Sequence, residues 1–240
     1  MKVIIIAVFL AIALPHANHG QTAGKKRGQN TKVERTQIPV IRLLYPSGGT
    51  IFDRTCPQFL KTQINPEWVQ ETARRVPEFQ ALWDKHGPAY LSVTFAEIGL
   101  GFPYGEMQAA LTVCPVSSMS IPLMINVRAF LSSEQSQVPP EHFAEVVFHE
   151  LMHHYTQRVN ASSALRKKYA KEPPVVLSHL HVMAIEKFVL LKLGRTEELK
   201  YLDYQYRNNP PPSFYKRAWE IVNDIEGYES FIKEMKLLQK

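Results

Sequence analysis

Apolar positions along the chain change their spacing several times, and each change marks an element. Residues 38–45 form an apolar, β-branched run that reads as a strand. Pro46-Ser47-Gly48-Gly49 is a turn signal, and 50–52 is expected to pair back as a hairpin. Asn65-Pro66-Glu67 then opens a helix: a capping side chain, a proline at the first position and an acid. Trp68, Val69, Thr72, Ala73, Val76, Phe79, Leu82 and Trp83 follow at spacings of three and four, which place one apolar face on that helix. Pro77 is expected to kink or split it, and Gly87-Pro88 to end it.

Residues 90–98, 107–114 and 121–127 read as three further strands, separated by a glycine-rich loop at 99–105 and a second loop at 115–120. Pro122 suits a strand start or a sheet edge, so the run from Ile121 to Val127 is the expected edge strand. Pro139-Pro140-Glu141 opens a helix over 140–158, and Pro173-Pro174 opens another that stops at Gly194. A proline-rich break at 208–212 precedes helical stretches over 213–226 and 228–239. Strands mixed with one helix, then mostly helices, predict an α+β domain over 37–240. Its small sheet is expected to be mixed or antiparallel, beside an active-site helix, with a mainly helical C-terminal half.

Composition refines this picture at the N-terminus. Met1-Lys2 is followed by an unbroken apolar run from Val3 to Leu14. That run is short for a bilayer span, which takes about 20 residues, and fits the core of a secretory signal peptide. Residues 1–17 are therefore expected to be a signal peptide, and the chain to be secreted or periplasmic. Residues 18–36 are polar and basic, with Lys25, Lys26, Arg27, Lys32 and Arg35 and no hydrophobic period, and read as a flexible linker. The net charge of +6 is moderate, and no nucleic-acid motif accompanies it. In an exported chain the two cysteines, Cys56 and Cys114, are expected to form one disulfide.

The chemistry concentrates in His149-Glu150-Leu151-Met152-His153. Two histidines four residues apart share one helix face, so both imidazoles can reach one ion. Zinc accepts neutral imidazole and brings no redox chemistry of its own. Glu150 is one step round the helix, where it can move a proton to and from a metal-bound water. Valines precede the motif, and no charge other than Glu150 intrudes from Val146 to Tyr155.

The ten residues Val146 to Tyr155 resemble the extended motif of the zincin metallopeptidases. The resemblance implies a zinc peptidase with His149 and His153 as ligands and Glu150 as general base. It also implies a peptide or protein substrate lying as an added strand along the edge, here 121–127. The metzincin branch requires a glycine and another histidine soon after His153, whereas this chain has Thr156-Gln157-Arg158. The branch with a glutamate on a second helix, the gluzincin-like one, fits better. Glu186 is expected as the third ligand, since it is an acid in the otherwise apolar run 182–191.

His179 competes for that role, being seven residues before Glu186 and so on nearly the same face. His181 points elsewhere, His154 is turned away from the ligands, and Glu145 either orients His149 or is solvated. Tyr201, Tyr204, Tyr206 and Tyr215 are equal candidates to stabilise an oxyanion. Two other readings fit the residues: a zinc hydrolase of a non-peptide amide, and a non-enzymatic secreted metal-binding protein with a vestigial motif.

Overall fold

The computed structural model describes residues 37–99, 101–134, 138–211 and 213–238. The expected signal segment 1–17 and linker 18–36 lie outside the described residues. Three strands, β1 (Val40–Leu44), β2 (Glu106–Thr112) and β3 (Met124–Asn126), form a sheet in the order β1-β2-β3. Among the described residues, eight α-helices accompany them: α1 (Ile51–Leu60), α2 (Pro66–Ile98), α3 (Phe143–Asn160), α4 (Ala164–Lys168), α5 (Pro174–Lys192), α6 (Thr196–Arg207), α7 (Phe214–Glu220) and α8 (Tyr228–Leu237). The architecture is α+β and mostly helical. Both strand pairings are parallel, not mixed or antiparallel as expected. The reason is that β1 connects to β2 through two helices, and a crossover of that length permits parallel pairing.

Two segments expected to be strands are helical. Thr50 does not lead into a returning strand; it caps α1 in a box with Asp53, each side chain bonding the other's backbone N–H. Cys56 is therefore buried inside a helix, and it is bonded to Cys114 just beyond β2. Asp53 reinforces the same junction: its Oδ1 accepts from Thr112 Oγ1 at 2.5 Å, Val113 N at 3.0 Å and Cys114 N at 3.2 Å.

Residues 90–98 continue α2, which runs unbroken past Pro77, Gly87 and Pro88 to a left-handed cap at Gly99. Gly87 is no terminator. A Cβ there would lie 2.4–2.5 Å from the Trp83 indole, so glycine makes room for that ring. Two interior prolines cost a helix about 3 kcal/mol each. Burying Phe79, Trp83, Tyr90, Leu91, Phe95 and Ile98 returns roughly 1.5–3 kcal/mol per side chain, which outweighs that cost.

Both edges of the sheet are occupied. The Gln80 side chain of α2 accepts from Leu43 N and donates to Ile41 O, both at 2.9 Å, along the outer edge of β1. On the other side, Met119 exchanges two 2.8 Å backbone bonds with Met124, and Ser118 Oγ accepts from Asn126 N at 3.0 Å. These groups fill the outward-facing positions of β3 at Met124 and the Asn126 N–H. The expected edge strand 121–127 is thus only three residues long, and a substrate cannot add to it at those positions.

Helix α3 packs on α2, α5 and β3. Helix α5 is apolar nearly all round and long enough to cross a bilayer, yet residues from Val176 to Leu190 are mostly buried in the core. An apolar helix with no polar stripe is stable in water only when enclosed in this way. Polar side chains on α5 are consequently conspicuous, and three of them, His179, His181 and Glu186, are buried.

Candidate metal centre

His149 and His153 lie one turn apart on α3, and their Nε2 atoms approach to 3.2 Å. His179 of α5 completes a group whose donor nitrogens all lie within 4.8 Å of one another. Its Nδ1 is held by the Val175 carbonyl at 2.6 Å, which leaves Nε2 for the group. Two nitrogens on a tetrahedral zinc at the usual bond length stand about 3.3 Å apart, close to the His149–His153 separation. Three imidazoles converging from two core helices could therefore hold a metal ion.

The electrostatics keep two of the three in the ligating form. Burial, with His149, His179 and His154 nearby, pushes the His153 imidazole down to about 2. Burial and His149 push His179 down to about 4, against the pull of the Val175 carbonyl. His149 behaves oppositely. Burial disfavours its charge, but the Glu186 carboxylate more than offsets that and raises it.

Glu186 does not face the gap between the histidines. Its Oε1 bonds His149 Nδ1 at 2.9 Å, on the side of the ring opposite Nε2. Its Oε2 accepts from the Tyr206 hydroxyl at 2.9 Å. All three side chains are buried. The structure thus puts the acid expected as third ligand behind His149, and puts His179 in front. Neighbouring positions explain the exchange: both residues project from one face of α5, but His179 lies two turns nearer the N-terminus, level with the open side of the pair.

Glu150 is buried on the wall of a cavity of about 380 Å³ that also reaches His149 and Tyr215. Burial raises its carboxyl, His149 opposes this, and Glu186 adds to it. Of the four candidate tyrosines, Tyr215 lies beside His179, with the two rings 4.5 Å apart. The Tyr206 hydroxyl bonds Glu186 and also lies 3.3 Å from His149 Nδ1, Tyr201 stacks on His142 at 3.6 Å, and Tyr204 is exposed. Burial, Glu150 and Glu186 push the Tyr215 phenol up to about 12, so it stays a donor.

The remaining candidates serve elsewhere. His181 bonds Glu234 at 2.8 Å, and His154 bonds the Ser120 carbonyl, tying α3 to the segment that covers β3. Glu145 neither orients His149 nor is solvated; it is buried and bonded to His142 Nδ1 at 3.0 Å. No element is expected over 196–207 from the sequence. Helix α6 forms there and carries Tyr201 and Tyr206 into the site. The cues in the sequence are Leu199, Leu202 and Tyr206 at spacings of three and four, and acids at the start, Glu197 and Glu198, with Arg207 at the end. Compared with known proteins, the chain matches no family model, no curated protein and no solved structure.

Proposed function

We propose that this chain is a zinc-dependent hydrolase of peptide bonds, with His149, His153 and His179 as the metal ligands. The observation that carries the reading is the meeting of His179 with the motif pair, beside a cavity that Glu150 lines. Three protein nitrogens leave one position open, the arrangement of catalytic rather than structural zinc. Zinc bound there supplies a Lewis acid and a water of lowered pKa.

The side chains divide the remaining work. Glu150 follows a ligand directly and does not belong to the nitrogen group, so it is placed to accept a proton from the attacking water and pass it to the departing amine. Glu186 fixes His149 with Nδ1 engaged and Nε2 free, and Tyr206 fixes Glu186. Tyr215 donates toward the oxygen that gains negative charge. An extended substrate would run past the segment 116–118, which lines the cavity, because β3 itself is covered.

The test is metal content and peptide turnover, measured together. The reading expects one zinc per chain, peptide hydrolysis, and a Glu150→Gln variant that keeps zinc and loses activity. Zinc binding without turnover of any peptide would leave a metal-binding protein instead. Full activity in Glu150→Gln would overturn the assignment of the base.

A further inference from the structure

Asn126 ends β3 and commits its whole amide to the wall of the cavity beside Glu150. Its Nδ2 donates to the Cys114 carbonyl at 2.8 Å and to the Val116 carbonyl. Its Oδ1 accepts from Arg128 N at 2.9 Å, and its backbone N–H donates to Ser118 Oγ at 3.0 Å. Only one orientation of the amide serves this network, because a flip would set its oxygen against two carbonyls and its NH2 against an N–H.

The residues so held have little else to fix them. Cys114 is anchored by its disulfide and by Asp53, and Met119 by its pairing with Met124. Between these points the one backbone–backbone bond among the described residues runs from Val116 N to the Cys114 carbonyl at 2.7 Å. Ser117 is exposed, and its N–H and C=O bond no described residue. Val116, Ser117 and Ser118 line the half-open cavity together with His149 and Glu150. An unpaired backbone donor and acceptor beside a cleft can take a peptide as an added strand. Holding that backbone still before binding spares the complex the cost of ordering it.

We propose that Asn126 is a positioning residue for the substrate: it locks residues 114–118 so that the Ser117 N–H and C=O pair with the backbone of a peptide lying across the cavity. The inference rests on the peptidase reading for its place in the reaction, but the docking of the peptide can be measured without turnover.

Two measurements on the full-length protein separate the ideas. The variant is Asn126→Asp, which keeps the acceptor for Arg128 N and replaces the Nδ2 donor with an oxygen set against two carbonyls. The first measurement follows turnover of a fluorogenic alanine peptide carrying one phenylalanine, with the zinc-loaded protein. In the variant KM should rise about tenfold with kcat and zinc affinity unchanged, since the interaction removed is made equally in the ground and transition states. The second measures binding of the same peptide, labelled with fluorescein, to zinc-free protein by anisotropy, beside analogues N-methylated at each residue in turn. Methylation removes one N–H, and opposite Ser117 it should weaken binding to the parent protein about tenfold. Binding to the variant should already be weaker by a similar factor, and that methyl group should make little further difference.

Peptide binding that follows this pattern without any turnover would sink the peptidase reading and leave the positioning role standing. Turnover and binding in Asn126→Asp equal to the parent would overturn the positioning role and leave the peptidase reading. So would a fall in kcat at unchanged KM, loss of zinc from the variant, equal tolerance of every N-methyl group, or no binding of the peptide to the parent. A circular dichroism spectrum matching the parent is required of Asn126→Asp. The N-methyl series on the parent alone decides the matter if the variant does not fold.

Discussion

Glu186 stands behind His149, its Oε1 2.9 Å from Nδ1, while the opposite nitrogen of the same ring faces His153. On the proposed reading, this contact takes Glu186 out of the ligand set. A carboxylate bonded to the outer nitrogen of a ligand orients the ring and strengthens it as a donor, and so affects the ion through the histidine.

Replacing Glu186 with Gln should therefore weaken zinc binding by about tenfold to a hundredfold, as loss of such a supporting group does, without removing a ligand. Competition with a zinc-chelating dye measures the affinity. X-ray absorption on the variant should still report three imidazole nitrogens; a shell missing an oxygen relative to the parent would make Glu186 a direct ligand.

His179→Ala should behave differently. It removes one of three donors, so stoichiometric zinc should be lost at concentrations where the parent protein is saturated. Metal content after gel filtration checks this, and an unaffected stoichiometry would return the third ligand to the other side of the site.

Gly87→Ala sets two effects against each other. Alanine gains about 1 kcal/mol of helix propensity over glycine. The new Cβ, however, would sit 2.4–2.5 Å from atoms of the buried Trp83 indole, and overpacking of a core costs roughly 1–3 kcal/mol. Urea denaturation should show net destabilisation, and a more stable variant would mean that the indole can move aside.

Removing the Cys56–Cys114 bond frees a loop with a sequence separation of 58. Loop-closure entropy alone gives about 4 kcal/mol for a ring of that size. The Asp53 bonds to Thr112, Val113 and Cys114 persist in the folded state but do not restrict the unfolded chain. A Cys56→Ser/Cys114→Ser double variant should accordingly lose several kcal/mol in chemical denaturation; an unchanged midpoint would refute the bridge as a stabilising element.

Glu71 gives a pH dependence with a definite sign. Burial by itself raises its carboxyl, but bonds from Ser133 Oγ, the Ser132 and Ser133 backbone and Arg75 hold it down at about 2, below its ordinary 4.5. A depressed carboxyl contributes stability that is complete above its unfolded pKa and lost as pH falls through the folded one. Its contribution should therefore be whole above about pH 4.5 and fade toward pH 2. Glu71→Gln should cost about 1–3 kcal/mol at pH 7 and much less at pH 2–3, by urea titration at each pH. Equal losses at both would remove the ionic origin.

The amphipathic face of α2 could be read as far as Trp83, and in fact continued. Tyr90, Leu91, Thr94, Phe95 and Ile98 keep the helical spacing, but Gly87-Pro88 masks it as a stop. Only the position of the Trp83 ring over Gly87 explains why a glycine sits in mid-helix. Residues 50–52 carry a similar ambiguity, because a three-residue apolar run has no period to read, and the Thr50–Asp53 box resolves it.

The sequence by itself determined that His149 and His153 share a helix face with Glu150 beside them, because helical geometry alone relates residues one and four apart. It also narrowed the candidates for a third donor to α5, where polar side chains interrupt an apolar helix. Which of His179 and Glu186 faces the gap was left to the tertiary structure. That choice depends on how far α5 is shifted along α3, and the shift is set by side-chain packing between the two helices and by the Tyr206 hydroxyl arriving from α6. No local pattern encodes a contact between elements so distant in the chain.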